Sequence, residues 1–427
     1  MIGTLDNSRK EATVVGAGIA GMLAAYALDN HGYRVTLIEE RQRGGGLIST
    51  RQTEHGIAES AAHSLVATRA VRELCAELKV ELIEPRKESK AKFIMRGGKL
   101  RRFPLGVQEV AGALRRAAFV RADDGNTQNL DAWTRRHLGG AALNYLLTPF
   151  VRGIYGVQPA ELGVAAAYPG LKIPAGKTLL GTMLNKRRHQ SSTKDSKQRV
   201  APRLGMGELV SRLERRLSRQ LGPRFRRNET VREIPDAANV IIATPAYAAA
   251  KLLRSFEPAL AAKLQTVNYT PIVSVTVFVE SGAFTRPVHG TGVLMPACEE
   301  RKSLGILFNS SSFDYRVSDD SRFASFTVMM GGTAQPEWLE ANDDEILQAI
   351  KLELSDVLGI REPLAGMIHR WPAALPQYSP ELPTVWQRAR ETWCATPGRM
   401  LFGNYTGQIS LRGMIESAAL LGQQVTG

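Results

Sequence analysis

The stretch "ATVVGAGIAGMLAAYALDNHG" constrains this chain more than any other part of it. Its opening, Ala12 to Val15, reads as a buried strand rich in β-branched residues, and its close, Met22 to Gly32, as a helix ended by glycine. Gly16, Gly18 and Gly21 therefore fall on a strand-to-helix turn. At such a turn the first glycine allows the tight bend, the second lets the backbone approach a pyrophosphate at the helix N-terminus, and the third lets helix pack on sheet. A second strand, "RVTLIE", ends in Glu39, eighteen residues past Gly21, where a carboxylate can accept hydrogen bonds from ribose hydroxyls. The combination predicts an α/β fold that binds a dinucleotide.

A chain of 427 residues has room for roughly two or three domains and a sizeable core. Cys75, Cys298 and Cys394 form no zinc or CxxC spacing, and their odd number suits reduced thiols in a cytosolic compartment. No secretory leader is expected, and no stretch reaches the about 18 uncharged apolar residues that span a bilayer, so membrane contact would be peripheral. The formal charge of +14 is uneven: Lys186 to Arg227 holds fourteen Lys or Arg against three acids. Such a run suits a solvated loop or an anionic surface, and no nucleic-acid motif accompanies it. "AGKT" at 175–178 is no phosphate loop, because Leu171 stands where the earlier glycine is needed and Pro174 lies inside the loop.

After Glu39 and Glu40 comes "RQRGGGLIST", in which Arg43, Gly45 and Gly46 put a cation and two bare backbone positions where a longer part of the ligand must pass. The pattern E-x-x-x-R-x-G-G-x-x-x-[ST] resembles the second glycine motif of the flavin amine oxidase and protoporphyrinogen oxidase superfamily, which implies non-covalently bound FAD. Far downstream, "GRMLFGNYTGQISLRGMIESAALLG" reads as a strand, a Gly-Asn turn and a helix starting near Leu411. It resembles the superfamily's C-terminal segment at Gly403, Asn404, Leu411, Ile415 and Ser417, while Ser410, Gly413 and Met414 depart from it.

Several inner stretches resemble the protoporphyrinogen oxidase family in order along the chain: "VRGIYGVQPAELG", "HGTGVLMP", "SLGILFNSSSF", "TVMMGG" and "HRWPAALPQY". The resemblance implies that Leu294, Leu307 and Met329 sandwich a tetrapyrrole, that Lys92 anchors a propionate where the family usually has Arg, and that Trp371 lies against the flavin. It also implies that Val231 presents its backbone to adenine, in a region too short for the family's usual three-stranded insertion. From the residues alone, each of these apolar side chains is more often plain core than pocket. His63, His137, His289 and His369 read as satisfied or surface histidines, and no metal cluster or catalytic triad is in view.

The expected fold class is α/β: a discontinuous Rossmann-like FAD-binding domain, a mixed-sheet substrate domain and a helical lobe. Its FAD-binding parts are 1–86, 201–251 and 366–427; the substrate domain takes 87–105 and 252–365; the helical, membrane-facing lobe is 106–200. The implied reaction is hydride loss from a porphyrinogen bridge carbon to flavin N5, with O2 as acceptor and H2O2 released, and no side chain is needed as a catalytic base. The alternatives are coproporphyrinogen III oxidation, an amine oxidase or carotenoid desaturase on the same scaffold, and a non-catalytic FAD-binding or porphyrin-carrying protein. Expected partners are the tetrapyrrole, O2 and an anionic membrane surface, with a homodimer allowed and no nucleic acid. The expected location is the cytoplasm, or peripherally on the cytoplasmic membrane.

Overall fold

The computed structural model describes residues 10–123, 129–189, 198–285 and 288–424. Most of the basic run after His189 lies outside them, as does the residue stretch 124–128 of the lobe.

Five parallel strands form one sheet in the order Phe225–Arg226, Arg34–Ile38, Glu11–Val15, Asn239–Ile242 and Arg399–Leu401. Parallel strands are covered on both faces, which is why their sequences are continuously apolar instead of alternating. The helix Ile19–Asn30 is buried at every position from Ala20 to Leu28, and the final helix, Leu411–Gln424, packs on it. The helix Met206–Leu221 buries Leu209, Leu213, Leu217 and Leu221 at four-residue spacing and exposes Arg215, Arg216 and Arg219. This amphipathic helix thus carries four arginines against Glu208 and Glu214, a small part of the sequence's basic excess, on its wetter side.

The second sheet has seven strands in the order Pro363–Pro376, Tyr269–Glu280, Phe323–Gly331, Ser303–Phe308, Gly292–Leu294, Lys92–Arg96 and Lys99–Arg101. All neighbours are antiparallel except Gly292–Leu294 with Lys92–Arg96. Alternation assigns the two faces. Val273, Val275, Val277, Ile306, Phe326, Val328 and Met330 pack against the helix Asp343–Leu358, which Asn342 caps through the Glu345 backbone N–H. The opposite face looks toward the nucleotide-binding part. The expected boundary at 365/366 falls inside the strand Pro363–Pro376, and that at 200/201 inside Arg199–Pro202, which pairs with Leu65–Val66 and Leu82–Ile83.

Between 106 and 189 the chain is helical, with Val107–Phe119, Leu130–His137, Thr148–Tyr155 and Leu179–His189. The first of these buries only Ala117 and leaves Val107, Leu114 and Phe119 between 60% and 88% exposed. Among the described residues no helix is long and apolar enough to cross a membrane.

Candidate active site

The glycine loop owes its shape to contacts a side chain would break. Gly16 has φ +95° and donates to the Ile38 carbonyl at 2.8 Å, joining loop to second strand. A Cβ on Gly21 would lie 1.8 Å from the Gly16 carbonyl oxygen, so this glycine sets how closely helix meets strand. A Cβ on Gly18 would meet nothing within 4 Å. The helix that follows Gly18 has no side-chain cap, leaving its N-terminal N–H groups facing that open space. Thr244, packed against Gly16, has a buried hydroxyl with no partner among the described residues. Bare backbone, uncapped donors and an unpaired hydroxyl fit the pyrophosphate of a dinucleotide.

Glu39 is buried at the end of its strand, where Oε2 accepts from Ala17 N at 2.6 Å and Oε1 from Arg41 N at 3.0 Å. The second glycine stretch folds back over the first: Gly45 N donates to Ala17 O at 2.8 Å, and Gly45 bridges to Gly18. Gly45 and Gly46 both have positive φ, and a Cβ on Gly45 would meet Val210 at 2.3 Å. Arg43 is exposed and donates to the carbonyls of Gly44 and Gly46, while Glu40 stays in solvent. Glu214, which the sequence did not single out, accepts from Gly44 N at 2.9 Å and pairs with Arg227. Past Phe225–Arg226 the chain runs irregularly to Asn239; Glu229 N donates to Glu39 O, which carries half-buried Val231 past the acid, and no inserted sheet intervenes.

At the far edge, Gly403 opens a turn closed by Thr406, and the carbonyl of Asn404 accepts from Tyr378 OH at 2.6 Å. Leu411 begins the last helix and Ile415 is buried in the nucleotide-side core. The departures at Ser410 and Gly413 belong together. Ser410 Oγ accepts from Gly413 N at 3.1 Å as an N-cap, and a Cβ at 413 would meet the Gln408 amide at 2.3 Å.

The strand register gathers Lys92, Leu294, Leu307, Met329 and Trp371 on the open face of the seven-stranded sheet. One row across it reads Lys92, Gly292, Leu307, Thr327, Thr276. The next reads Ile94, Leu294, Gly305, Met329, Ser274, His369, and a third Gly331, Ile272, Trp371. Each row sets a glycine beside a large apolar side chain. At Gly305 the gap is used at once, since Leu294 Cδ2 lies 3.2 Å from where a Cβ would be. Met329 and Trp371 share a small cluster with Ile272, Leu304 and Ala374, and the Trp371 indole donates to the Ser60 carbonyl at 2.7 Å, tying this face to the nucleotide-binding part. Lys92 is exposed, at the edge of the face.

Behind Leu307 lies a cavity of about 50 Å³ lined by Glu59, His63, Arg199, Thr291, Asn309 and Arg316 among others. Arg316 and Glu59 are about 5% exposed and 3.6 Å apart; burial pushes the Glu59 carboxyl up to about 7, against the pull of Thr50, Met206 N and Arg316. His63 is neither satisfied nor on the surface. Its Nε2 is enclosed without a partner among the described residues, and burial, aided by Arg316 and His369, pushes the ring down to about 4. Among the described residues His369 and His137 also have an enclosed, unpartnered Nδ1, so of the four histidines only His289 is the exposed residue expected.

Residues 19–426 match the family described as flavin containing amine oxidoreductase. The chain is 25% identical to protoporphyrinogen oxidase 2 of Arabidopsis thaliana, over 96% of this chain and 92% of that one. It is 24% identical to the chloroplastic protoporphyrinogen oxidase of Nicotiana tabacum (98% and 85%) and 21% identical to the coproporphyrinogen III oxidase of Bacillus subtilis (88% and 88%). Among solved structures, one from Exiguobacterium ascribed to protoporphyrinogen oxidase superposes with a TM-score of 0.79 at 21% identity, covering 98% of this chain and 99% of that one. Reduced UDP-galactopyranose mutase shares the fold at a TM-score of 0.74 and 14% identity, covering 98% and 96%.

Proposed function

This chain belongs to the flavin containing amine oxidoreductases, as an FAD-dependent oxidoreductase, and from that premise we propose that it oxidises protoporphyrinogen IX to protoporphyrin IX with O2 as acceptor. The observation that carries the reading is the open sheet face, where glycines alternate with Leu294, Leu307, Met329 and Trp371 to leave broad apolar ground with one cation, Lys92, at its edge. A flat ring with few polar groups needs a slot of this kind.

Bound FAD supplies the two-electron acceptor for hydride taken from a bridge carbon of the macrocycle. Each round also releases a proton, two of the three coming from pyrrole nitrogens and one from the fourth bridge carbon, and O2 carries off two electrons and two protons as H2O2; three rounds reach the planar porphyrin. The chain's own residues hold and orient. Trp371, fixed by its bond to Ser60, backs the face; Leu294 and Met329 exclude water from the ring; Lys92 meets a propionate as a point charge without the fork an arginine would offer.

The lobe supports peripheral contact with an anionic membrane from the cytoplasmic side. Val107, Leu114 and Phe119 on one helix and Leu180, Met183 and Leu184 on the helix packed beside it are exposed, with Arg115 and Arg116 nearby.

The test is anaerobic mixing of the FAD-loaded protein with protoporphyrinogen IX and, separately, coproporphyrinogen III, followed by air. Faster bleaching of the flavin band by protoporphyrinogen, with recovery and peroxide in air, is the expected result. Faster bleaching by coproporphyrinogen transfers the reading to that substrate, and a flavin that stays oxidised with both overturns it in favour of a carrier.

A further inference from the structure

The cavity behind Leu307 holds a cation that the described residues leave without a carboxylate partner. Arg199 enters it from the strand Arg199–Pro202 and donates to Thr291 Oγ1 at 3.0 Å. Its guanidinium also lies 5.6 Å from the Phe313 ring centroid, and no carboxylate among the described residues pairs with it. The one acid on the cavity wall, Glu59, is already engaged by Thr50 Oγ1, Met206 N and Arg316. Arg316 in turn donates through Nη2 to the carbonyls of Pro202 and Arg203, which braces the fold, while its Nη1 lies 3.6 Å from Glu59. Inside the cavity Arg199 has the bond to Thr291 and no carboxylate, His63 Nε2 and Arg316 Nη1 have no hydrogen-bond partner among the described residues, and Ser64 and Ser312 lie on the wall, Ser312 Oγ donating to the Thr291 carbonyl at 3.5 Å.

The cavity adjoins the face assigned to substrate. Leu307 belongs to both, and Thr291, which holds Arg199, donates through its N–H to Ala91 O at 2.7 Å, one residue before Lys92. Lys92 is itself level with Gly292. A cavity of about 50 Å³ accepts two oxygens, each of about the bulk of a water. A carboxylate there would gain a bidentate bond from the guanidinium and a second donor from the neutral imidazole, whereas an uncharged group would leave the half-buried arginine uncompensated.

We propose that one carboxylate of the substrate enters this cavity and is held by the Arg199 guanidinium and the His63 Nε2–H, which makes Arg199 a specificity-determining residue. The proposal rests on the porphyrinogen reading. With Lys92 at the face's edge, the site then has two cations along one end, and it selects a macrocycle with carboxylates on neighbouring rings. An arginine fork enclosed in a cavity fixes the rotation of the ring in its plane, which the exposed, flexible Lys92 cannot do alone.

The experiment is equilibrium binding of protoporphyrin IX and of its dimethyl ester to the FAD-loaded full-length protein, read by porphyrin fluorescence. It compares wild type, Arg199→Gln and Arg199→Lys, with the flavin spectrum as a check on folding. The expected result is a loss of about tenfold or more in affinity for the diacid in Arg199→Gln, a smaller loss in Arg199→Lys, and no change for the diester. Equal weakening of both ligands, or none, in whichever variant retains its flavin overturns the role of Arg199 while leaving the substrate reading intact. If wild type binds neither ligand, the porphyrinogen reading itself falls and this proposal with it.

Discussion

Gly153 and Leu294 share one space: a methyl group at position 153 would lie 2.4 Å from Leu294 Cδ2. Gly153 sits in the helix Thr148–Tyr155, and Leu294 reaches it from the sheet face assigned to the substrate. The helix therefore sets how far Leu294 leans over Gly305. Gly153→Ala should leave overall stability within about 1 kcal/mol, because alanine favours the helix while the displaced group is a mobile side-chain end. It should raise KM for the porphyrinogen severalfold at unchanged FAD content. Steady-state kinetics with a flavin assay checks this, and an unchanged KM would remove Leu294 from the substrate site.

The glycines of the first loop should separate folding from cofactor binding. Gly21→Ala drives a Cβ into the Gly16 carbonyl, a backbone atom that cannot yield, and should give little soluble flavin-loaded protein. Gly18→Ala meets nothing in the fold and should keep the thermal midpoint of the apoprotein within a few degrees. Its methyl group occupies the open ground in front of the helix, so FAD affinity should fall tenfold or more by titration calorimetry.

His63 should make the protein acid-sensitive. Burial depresses its folded-state pKa to about 4, below the unfolded value near 6.5, so its contribution is complete above about pH 6.5 and is lost as pH falls toward 4. His63→Gln should lose about 2 kcal/mol less stability than wild type between pH 7 and 4.5 in urea titrations. Glu59 runs the other way. Its raised pKa of about 7 means that its contribution, complete below about 4.5, is lost as pH rises through 7, so Glu59→Gln should flatten that limb.

The exposed apolar patch of the lobe gives a separable prediction. Leu114→Asp with Phe119→Asp changes residues that are 60% and 78% exposed, so folding and turnover of soluble substrate should stay within twofold. Flotation with vesicles containing anionic phospholipid should retain wild type and release the double variant. Release of neither or of both would show that the patch does not meet lipid.

Legibility in the sequence followed the range of the interactions involved. The strand, turn and first helix were readable because the three glycines and the β-branched run act on neighbours a few residues away. The substrate face was readable only as separate positions; that Lys92, Leu307 and Met329 share a face follows from strand pairing across 200 residues. The cavity was not readable at all. Glu59, His63, Arg199 and Arg316 meet only in the folded chain, and His63 alone carries no local mark separating it from an ordinary histidine. Thr244 could have been noticed, since a hydroxyl directly after the buried strand Asn239–Ile242 stands at the mouth of the same sheet as the glycine loop. The paired departures Ser410 and Gly413 looked like damage to a motif and prove to be a locally consistent helix start.

The nucleotide sheet takes its first strand at Glu11 and its last at Arg399, and the closing helix after it packs on the opening one. During synthesis the ribosome must therefore deliver the chain through the helix Leu411–Gln424 before the first core can close, and the seven-stranded sheet has the material to assemble earlier. A stalled or clipped product would expose the flank of Asn239–Ile242 that Arg399–Leu401 covers, and with it a bare parallel edge. Flavin uptake then doubles as a signal that Arg399–Leu401 and the helix after it have joined the sheet, and yellow colour in a preparation counts chains that carry both.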